Sequence, residues 1–476
     1  MSIMPPQVVL RYGSHAEKEY FVKLAGQYDA IMFGGNLLEI TPTATASLLF
    51  LLRGENRKKN GPDADIRFYL DPMTYSFGPY IDPTTGKKRT DLDALKSTRT
   101  DRKTKKKYTA VKDSYSSLAN ALGSCFSTAV NDGAKCSAID PSLIPDGDRD
   151  EFCQEVVDYQ LNRIREFISK EIADDEIVRD AFEGIGTPDA VFAPYFFVHE
   201  LWVDGGLEVA MDLAKRSVNL DPKPAAPVHA VVCASCSILE TTGHVEYLIE
   251  ELPKTGVAGV WLWFDGFDEL NAPLDQLKAF RRIVTGLSGK MEVYNLHGGY
   301  FSLLLAHDGL TGISHGVGYG ERKEIAQVIG AAAPMVRYYL PPIRKRVGVP
   351  DIQRCFEDVE ITTPSDFFKK VCDCSICKGV IADDLARFAA FGQMHRARTD
   401  SKRDSQTPAA AKMCRFHFLL NRFRERGIVA SLDAAERATH VADTAAPWRK
   451  RHPLRRHRDQ AGTDGFIERW VAALGS

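Results

Sequence analysis

Eight short apolar runs, four to nine residues long and rich in Val, Ile and Phe, constrain this chain more than any other feature. They cover residues 8–12, 30–33, 66–70, 190–198, 229–234, 259–264, 291–296 and 312–315. Runs of this length bounded by turn residues read as buried strands, and the stretches between them read as helices and loops. That is the pattern of parallel strands joined by crossovers. Polar residues and glycines gather directly after several runs, as in Phe33-Gly34-Gly35-Asn36, Leu70-Asp71-Pro72, Phe264-Asp265-Gly266 and Leu296-His297-Gly298-Gly299. The expected fold class is α/β, a (β/α)8 TIM-type barrel, which places its chemistry at the C-terminal ends of its strands.

The chain has 476 residues, more than one hydrophobic core usually serves, so one large domain with an appended module, or two moderate domains, is expected. The barrel is assigned to residues 1–350, with a basic insertion at about 80–188. A zinc-binding subdomain follows at 351–430 and a basic tail at 431–476. Within the insertion the pattern over 152–168 is amphipathic, and helices are also expected over 325–336 and 413–426. A composition of 44% hydrophobic and 26% charged residues excludes a disordered chain. No apolar run approaches the roughly 20 residues needed to span a bilayer. No basic-then-apolar leader opens the sequence, so no membrane partner and a cytoplasmic address are expected. Net charge is −2, yet residues 87–107 hold ten Lys/Arg against three Asp, and residues 449–458 hold six Lys/Arg and no acid. The first cluster is either a solvated charge run or a clamp for a phosphate backbone.

Ten cysteines have little use as disulfides in such a compartment, and three crowd into Cys372-Asp373-Cys374-Ser375-Ile376-Cys377. A tight turn brings CxCxxC sulfurs onto one ion at about 2.3 Å, the geometry of a structural Zn2+ site. A fourth ligand must come from His395, Cys414 or His417, which the spacing alone does not separate. His417 is favoured: Phe416, Leu419, Leu420 and Phe423 fall at i, i+3, i+4 and i+7, and the buried face they make would press this histidine toward the loop.

A CxCxxC run followed by a helix-borne histidine, directly after eight barrel strands, resembles the tRNA-guanine transglycosylase superfamily. The resemblance spans about residues 7–430. Residues 28–36 look like the family's second strand and turn, and Arg67-Phe68-Tyr69-Leu70-Asp71 is similar to the strand that ends in its catalytic aspartate. Residues 229–235 look like the strand ending in a base-reading glutamine, where this chain has Cys233. Residues 259–267, which include Gly266 and Phe267, look like the glycine-rich strand that follows. At the strand-eight position of the family's nucleophilic aspartate this chain reads Ile313-Ser314-His315-Gly316. With the Asp71-Pro72-Met73-Thr74-Tyr75 turn and the segment 337–342, these departures resemble the DNA-modifying branch. That branch inserts 7-deazaguanine derivatives such as 7-cyano-7-deazaguanine.

Base exchange breaks a glycosidic bond through a cation-like C1′, so one carboxylate must trap that centre while a second group manages the proton. Asp71 and Asp265 both close strands and would point into one mouth. Asp265 is taken as nucleophile and Asp71 as general base, with the reverse assignment open, and His315 stands as a proton carrier for the missing carboxylate. Tyr75, Cys233, Gly266, Phe267 and His297 are expected to line the base. The implied partners are DNA, the 7-deazaguanine base, and proteins that open the duplex. Two alternatives stay open: tRNA as the polymer, and a non-catalytic zinc-bearing nucleic-acid-binding protein.

Overall fold

The computed structural model describes residues 3–61, 64–82, 85–100, 104–131, 136–172, 187–318, 320–321, 323–325, 335–395, 405–449 and 465–475. Eight strands form one sheet: β1 (Gln7–Tyr12), β2 (Ala30–Gly34), β3 (Arg67–Asp71), β4 (Val191–Phe192), β5 (Val228–Ser235), β6 (Gly259–Asp265), β7 (Glu292–Asn295) and β8 (Gly312–Gly316). All pair in parallel, in the order β3-β2-β1-β8-β7-β6-β5-β4. The sheet nearly closes. At the seam between β3 and β4 the Asp189 N–H donates to the Phe68 carbonyl (2.9 Å), and the Asp189 carboxylate accepts from the Phe68 N–H (2.7 Å). The result is a barrel-like, TIM-like mixed α/β fold.

The run expected as one strand over 190–198 is interrupted. Only Val191–Phe192 pairs continuously, and contact resumes as a single bridge from Val198 to Ala234. Pro194 lies between them and has no N–H to give a ladder.

Side chains alternate across the strands, so every second residue enters the lumen. One layer stacks Trp261 on Tyr294 (4.2 Å, 8°), with Tyr69 and Phe192 edge-on to the indole at 5.2 and 5.6 Å. Trp261 Nε1 donates to His229 Nδ1 at 3.0 Å, which satisfies the buried indole N–H. These rings fill the barrel as core. The next layer, nearer the strand ends, holds Arg11, Asp71, Cys233 and Trp263.

The insertion leaves the C-terminal rim just beyond Asp71. It contains an antiparallel ribbon, Lys96–Thr100 with Lys107–Val111, and the helices Asp113–Leu122, Ser124–Asn131 and Arg149–Ile172. Much of its positive charge is matched locally: Arg89 pairs with Asp82, Asp91 and Asp93, Lys96 with Asp93, and Arg99 with Asp113. Lys105, Lys106 and Lys107 are exposed at the ribbon tip.

Beyond β8, a long helix, Pro408–Ser431, lies on the barrel. Its Phe416 meets Tyr20 (4.6 Å), Phe418 meets His315 (5.3 Å), and Arg422 forms an ion pair with Glu321. Most of the helix expected over 325–336 lies outside the described residues. The stretch expected as a basic tail is folded where it is described. The helices Arg437–Ala445 and Phe466–Leu474 pack on the barrel, with Trp470 Nε1 donating to the Glu269 carbonyl at 2.7 Å and Arg281 donating to the Ala473 carbonyl at 2.8 Å. Of the cluster 449–458, only Arg449 is described. Among the described residues, no helix is long and apolar enough to cross a membrane.

Candidate active site and metal centre

Asp71 is the last residue of β3 and is 2% exposed, so its carboxylate must be satisfied from inside. Three donors do this. Arg11 donates to Oδ2 (2.9 Å), while the Tyr195 hydroxyl (2.6 Å) and the Met73 N–H (2.9 Å) donate to Oδ1. Met73 adopts φ 54°, a left-handed conformation uncommon for a side chain of this size. Tyr195 is held in turn by Thr74, whose hydroxyl donates to the Tyr195 carbonyl (2.7 Å) and accepts from its N–H (2.8 Å). Burial works against the charge on Arg11, but Asp71, with Tyr195 and Tyr75, outweighs it and the guanidinium pKa is raised.

Asp265 ends β6 at the same rim. It is half-buried, and burial, reinforced by Glu324, lifts its carboxyl to about 6 against the single hydrogen bond from the Ile325 N–H (2.6 Å). Its second oxygen has no hydrogen-bond partner among the described residues. Cys233 sits opposite Trp263 in the lumen. Burial pushes its thiol well above the ordinary range, and the charge of Asp265 adds to that push against the opposing charge of Lys323. Gly266 turns the chain directly after Asp265 at φ 79°, in the left-handed region glycine favours.

An aromatic wall rises beside the acids. Tyr75 stacks on Tyr195 (5.6 Å) and meets Trp263 edge-on (4.8 Å). Lys323, from the segment after β8, covers this wall: its ammonium lies 4.7 Å from the Tyr75 ring centroid and 4.9 Å from that of Trp263, and it hydrogen-bonds the Tyr75 hydroxyl. Burial, aided by Arg11 and opposed by Asp71, lowers the Lys323 ammonium to about 8. The Lys323 carbonyl accepts from Trp263 Nε1 at 3.0 Å, which fastens the segment over the mouth. His297 stands edge-on to Trp263 at 5.1 Å.

Two residues expected here lie elsewhere. His315 pairs in register with Leu10, and since Arg11 faces the lumen, both of these point outward. The His315 ring packs on Phe418, and burial, with Arg422 next, lowers it to about 4, so it carries no proton at the mouth. Phe267 likewise leaves the mouth, because the turn at Gly266 sends its ring against Phe280 of the outer helix Leu274–Leu287 (5.2 Å). Three residues at the mouth escape sequence reasoning: Arg11, Tyr195 and Lys323. Arg11 alone leaves a trace, as the one charged residue inside the apolar strand Gln7–Tyr12.

On the far side of the long helix, Cys372, Cys374, Cys377 and His417 place their ligand atoms within 4.8 Å of one another, and this cluster could hold a metal ion. His417 Nδ1 lies 3.4 Å from Cys374 Sγ and 3.3 Å from Cys377 Sγ. Its Nε2 is 2.7 Å from the Tyr339 carbonyl, an acceptor only, so Nε2 carries the hydrogen and Nδ1 turns its lone pair to the sulfurs. Tyr338 stacks on the imidazole (4.1 Å, 18°) with its hydroxyl 3.2 Å from Cys377 Sγ, and Asn421 lies 3.3 Å from Cys372 Sγ. Contacts of this kind orient the ligands wherever such a cluster holds a metal. Hydrogen bonds from Cys374 and Cys377 lower the Cys372 thiol, while burial and its neighbouring thiols raise that of Cys377. The other two candidates fall away: Cys414 hydrogen-bonds the Phe391 carbonyl (3.4 Å), and His395 is exposed.

A scan against protein-family models finds no match for this sequence, and a search of curated proteins finds none either.

Proposed function

We propose that this chain is a base-exchange transglycosylase that replaces guanine in DNA with a 7-deazaguanine derivative such as 7-cyano-7-deazaguanine, on a scaffold stiffened by Zn2+. The observation that carries the proposal is the pairing, at one barrel mouth, of a clamped carboxylate with a second acid whose pKa is raised toward neutrality. Unlike surroundings divide the roles of the two carboxyl groups. Asp71, which accepts from Arg11, Tyr195 and the Met73 N–H, is the nucleophile at C1′ in this reading. Asp265, lifted to about 6 with one oxygen unpartnered, is suited to move protons. This reverses the assignment favoured from sequence.

In the first half-reaction an Asp71 oxygen bonds to C1′ as the C1′–N9 bond breaks. The bonding pair leaves with guanine N9, which takes the proton of Asp265. In the second, Asp265, now ionised, accepts the N9 proton of the incoming base, whose N9 attacks C1′ and expels the Asp71 carboxylate. Tyr75 and Trp263 offer aromatic surface to the heterocycle once Lys323 moves aside. The exposed lysines at the ribbon tip supply phosphate contacts on the rim from which the insertion emerges. The Cys3His set, which leaves no open coordination position, fits a structural zinc.

Because Asp265 must enter the first half-reaction protonated, kcat/KM is expected to fall as pH rises through about 6. Asp265→Asn is expected to remove that limb from the pH–rate profile along with most of the rate. The function itself is tested by nucleoside mass spectrometry of DNA and tRNA from cells with and without the protein. A deazaguanosine that appears in DNA only with the protein is the expected result. Its appearance in tRNA alone would move the activity to that polymer, and its absence from both would overturn the proposal.

A further inference from the structure

Buried polar atoms almost always have partners, so those without one point to something that must approach them. His297 Nε2 and Ser314 Oγ are buried with no hydrogen-bond partner among the described residues. His297 is 6% and Ser314 0% exposed. They flank the rim where β7 and β8 meet: the Gly298 N–H donates to the Ser314 carbonyl at 3.1 Å. Ser314 pairs with Val9 and so shares the lumenal face with Arg11 and Gly316.

The chemistry His297 offers is fixed. Its Nδ1 lies 3.2 Å from the Gly320 carbonyl, which can only accept, so Nδ1 carries the hydrogen. Burial, with Arg11 and Lys323 nearby, lowers its pKa well below the ordinary range and keeps the ring neutral. Nε2 therefore presents a lone pair, and the edge-on contact with Trp263 holds the ring in place. A lone pair here pairs with an N–H and repels another lone pair. The Ser314 hydroxyl donates or accepts as needed.

We propose that His297 and Ser314 read the edge of the exchanged base, His297 accepting from its N–H, so that the site takes heterocycles with the N1–H of guanine and rejects adenine. This rests on the transglycosylase reading and names its specificity determinant. Guanine and 7-deazaguanine carry N1–H beside an oxygen that the Ser314 hydroxyl can serve. Adenine carries a lone pair at N1.

The test titrates the whole 476-residue chain, prepared with zinc, with 7-deazaguanine and with adenine, following tryptophan fluorescence, and measures exchange of labelled guanine in parallel. The chain is expected to bind 7-deazaguanine at least about tenfold more tightly than adenine, the effect of one unpaired buried polar group. His297→Phe is expected to erase that preference by weakening 7-deazaguanine, and His297→Gln, whose amide oxygen can accept, to restore part of it. Equal binding of the two bases by the parent chain overturns the inference even if His297→Phe fails to fold, as does a preference that survives in His297→Phe. Either result with guanine exchange intact places a water, and not a base, on Nε2 and leaves the transglycosylase reading standing. Neither base binding nor exchange by the parent chain would overturn both.

Discussion

Asp71→Asn is expected to lower base exchange by on the order of 10³-fold or more, because it replaces the proposed nucleophilic carboxylate while keeping the shape of the side chain. The amide oxygen can still accept from the Tyr195 hydroxyl and the Met73 N–H, the two donors now on Oδ1. The contact it cannot keep is Arg11 on Oδ2, which leaves a largely buried guanidinium without its counter-ion. Breaking such a pair costs about 3–5 kcal/mol when burial is complete. Thermal unfolding is therefore measured beside the rate. A folded Asp71→Asn chain whose exchange rate matches the parent's would remove Asp71 from the chemistry.

Removing the proposed zinc is expected to have the largest effect on stability. Structural zinc contributes about 10 kcal/mol or more, against a net folding stability of roughly 5–15 kcal/mol. The long helix that carries His417 also carries Phe416, Phe418 and Arg422, which pack on Tyr20, His315 and Glu321 of the barrel. Loss of the ion should therefore loosen the barrel's flank as well as the cysteine loop. Purified protein is expected to hold one zinc per chain, and chelation to lower Tm by more than about 10 °C. Cys374→Ser should reproduce the drop without chelator. Acid should do the same by protonating the thiolates and the imidazole of the proposed site. Metal-free protein with an unchanged Tm would leave the four residues as buried thiols beside a histidine.

Much of this architecture is legible because two periodicities write it directly. Apolar runs mark the strands, and the polar residue or glycine after several of them marks the C-terminal end, so the positions of Asp71 and Asp265 at one rim follow from parallel pairing alone. His417 is legible for a similar reason: Phe416, Leu419 and Phe423 are buried and Leu420 half-buried, the helical stripe that turns the histidine inward. What the sequence hides is parity and distance. Whether His315 faces in or out depends on a one-residue register, which becomes clear only when Arg11 is seen on the lumenal face. Phe267 follows a left-handed glycine, which redirects it in a way no alternation foretells. Tyr195 and Lys323 reach the site from 124 and 248 residues beyond Asp71 and Tyr75, respectively. The stretch after residue 431 lacks a clear pattern because short helices such as Phe466–Leu474 draw their partners, Glu269 and Arg281, from the distant barrel.

The central claim is that the Asp71 carboxylate forms a bond to a sugar C1′ in the mouth of this barrel. The most direct measurement incubates the zinc-loaded chain with DNA in the absence of incoming base, quenches with acid, and maps the protein–DNA adduct by tandem mass spectrometry. A deoxyribosyl ester on the peptide containing Asp71, released when 7-deazaguanine is added before the quench, is the predicted result. An adduct carried by Asp265 or any other residue, or guanine release with no adduct at all, would contradict it.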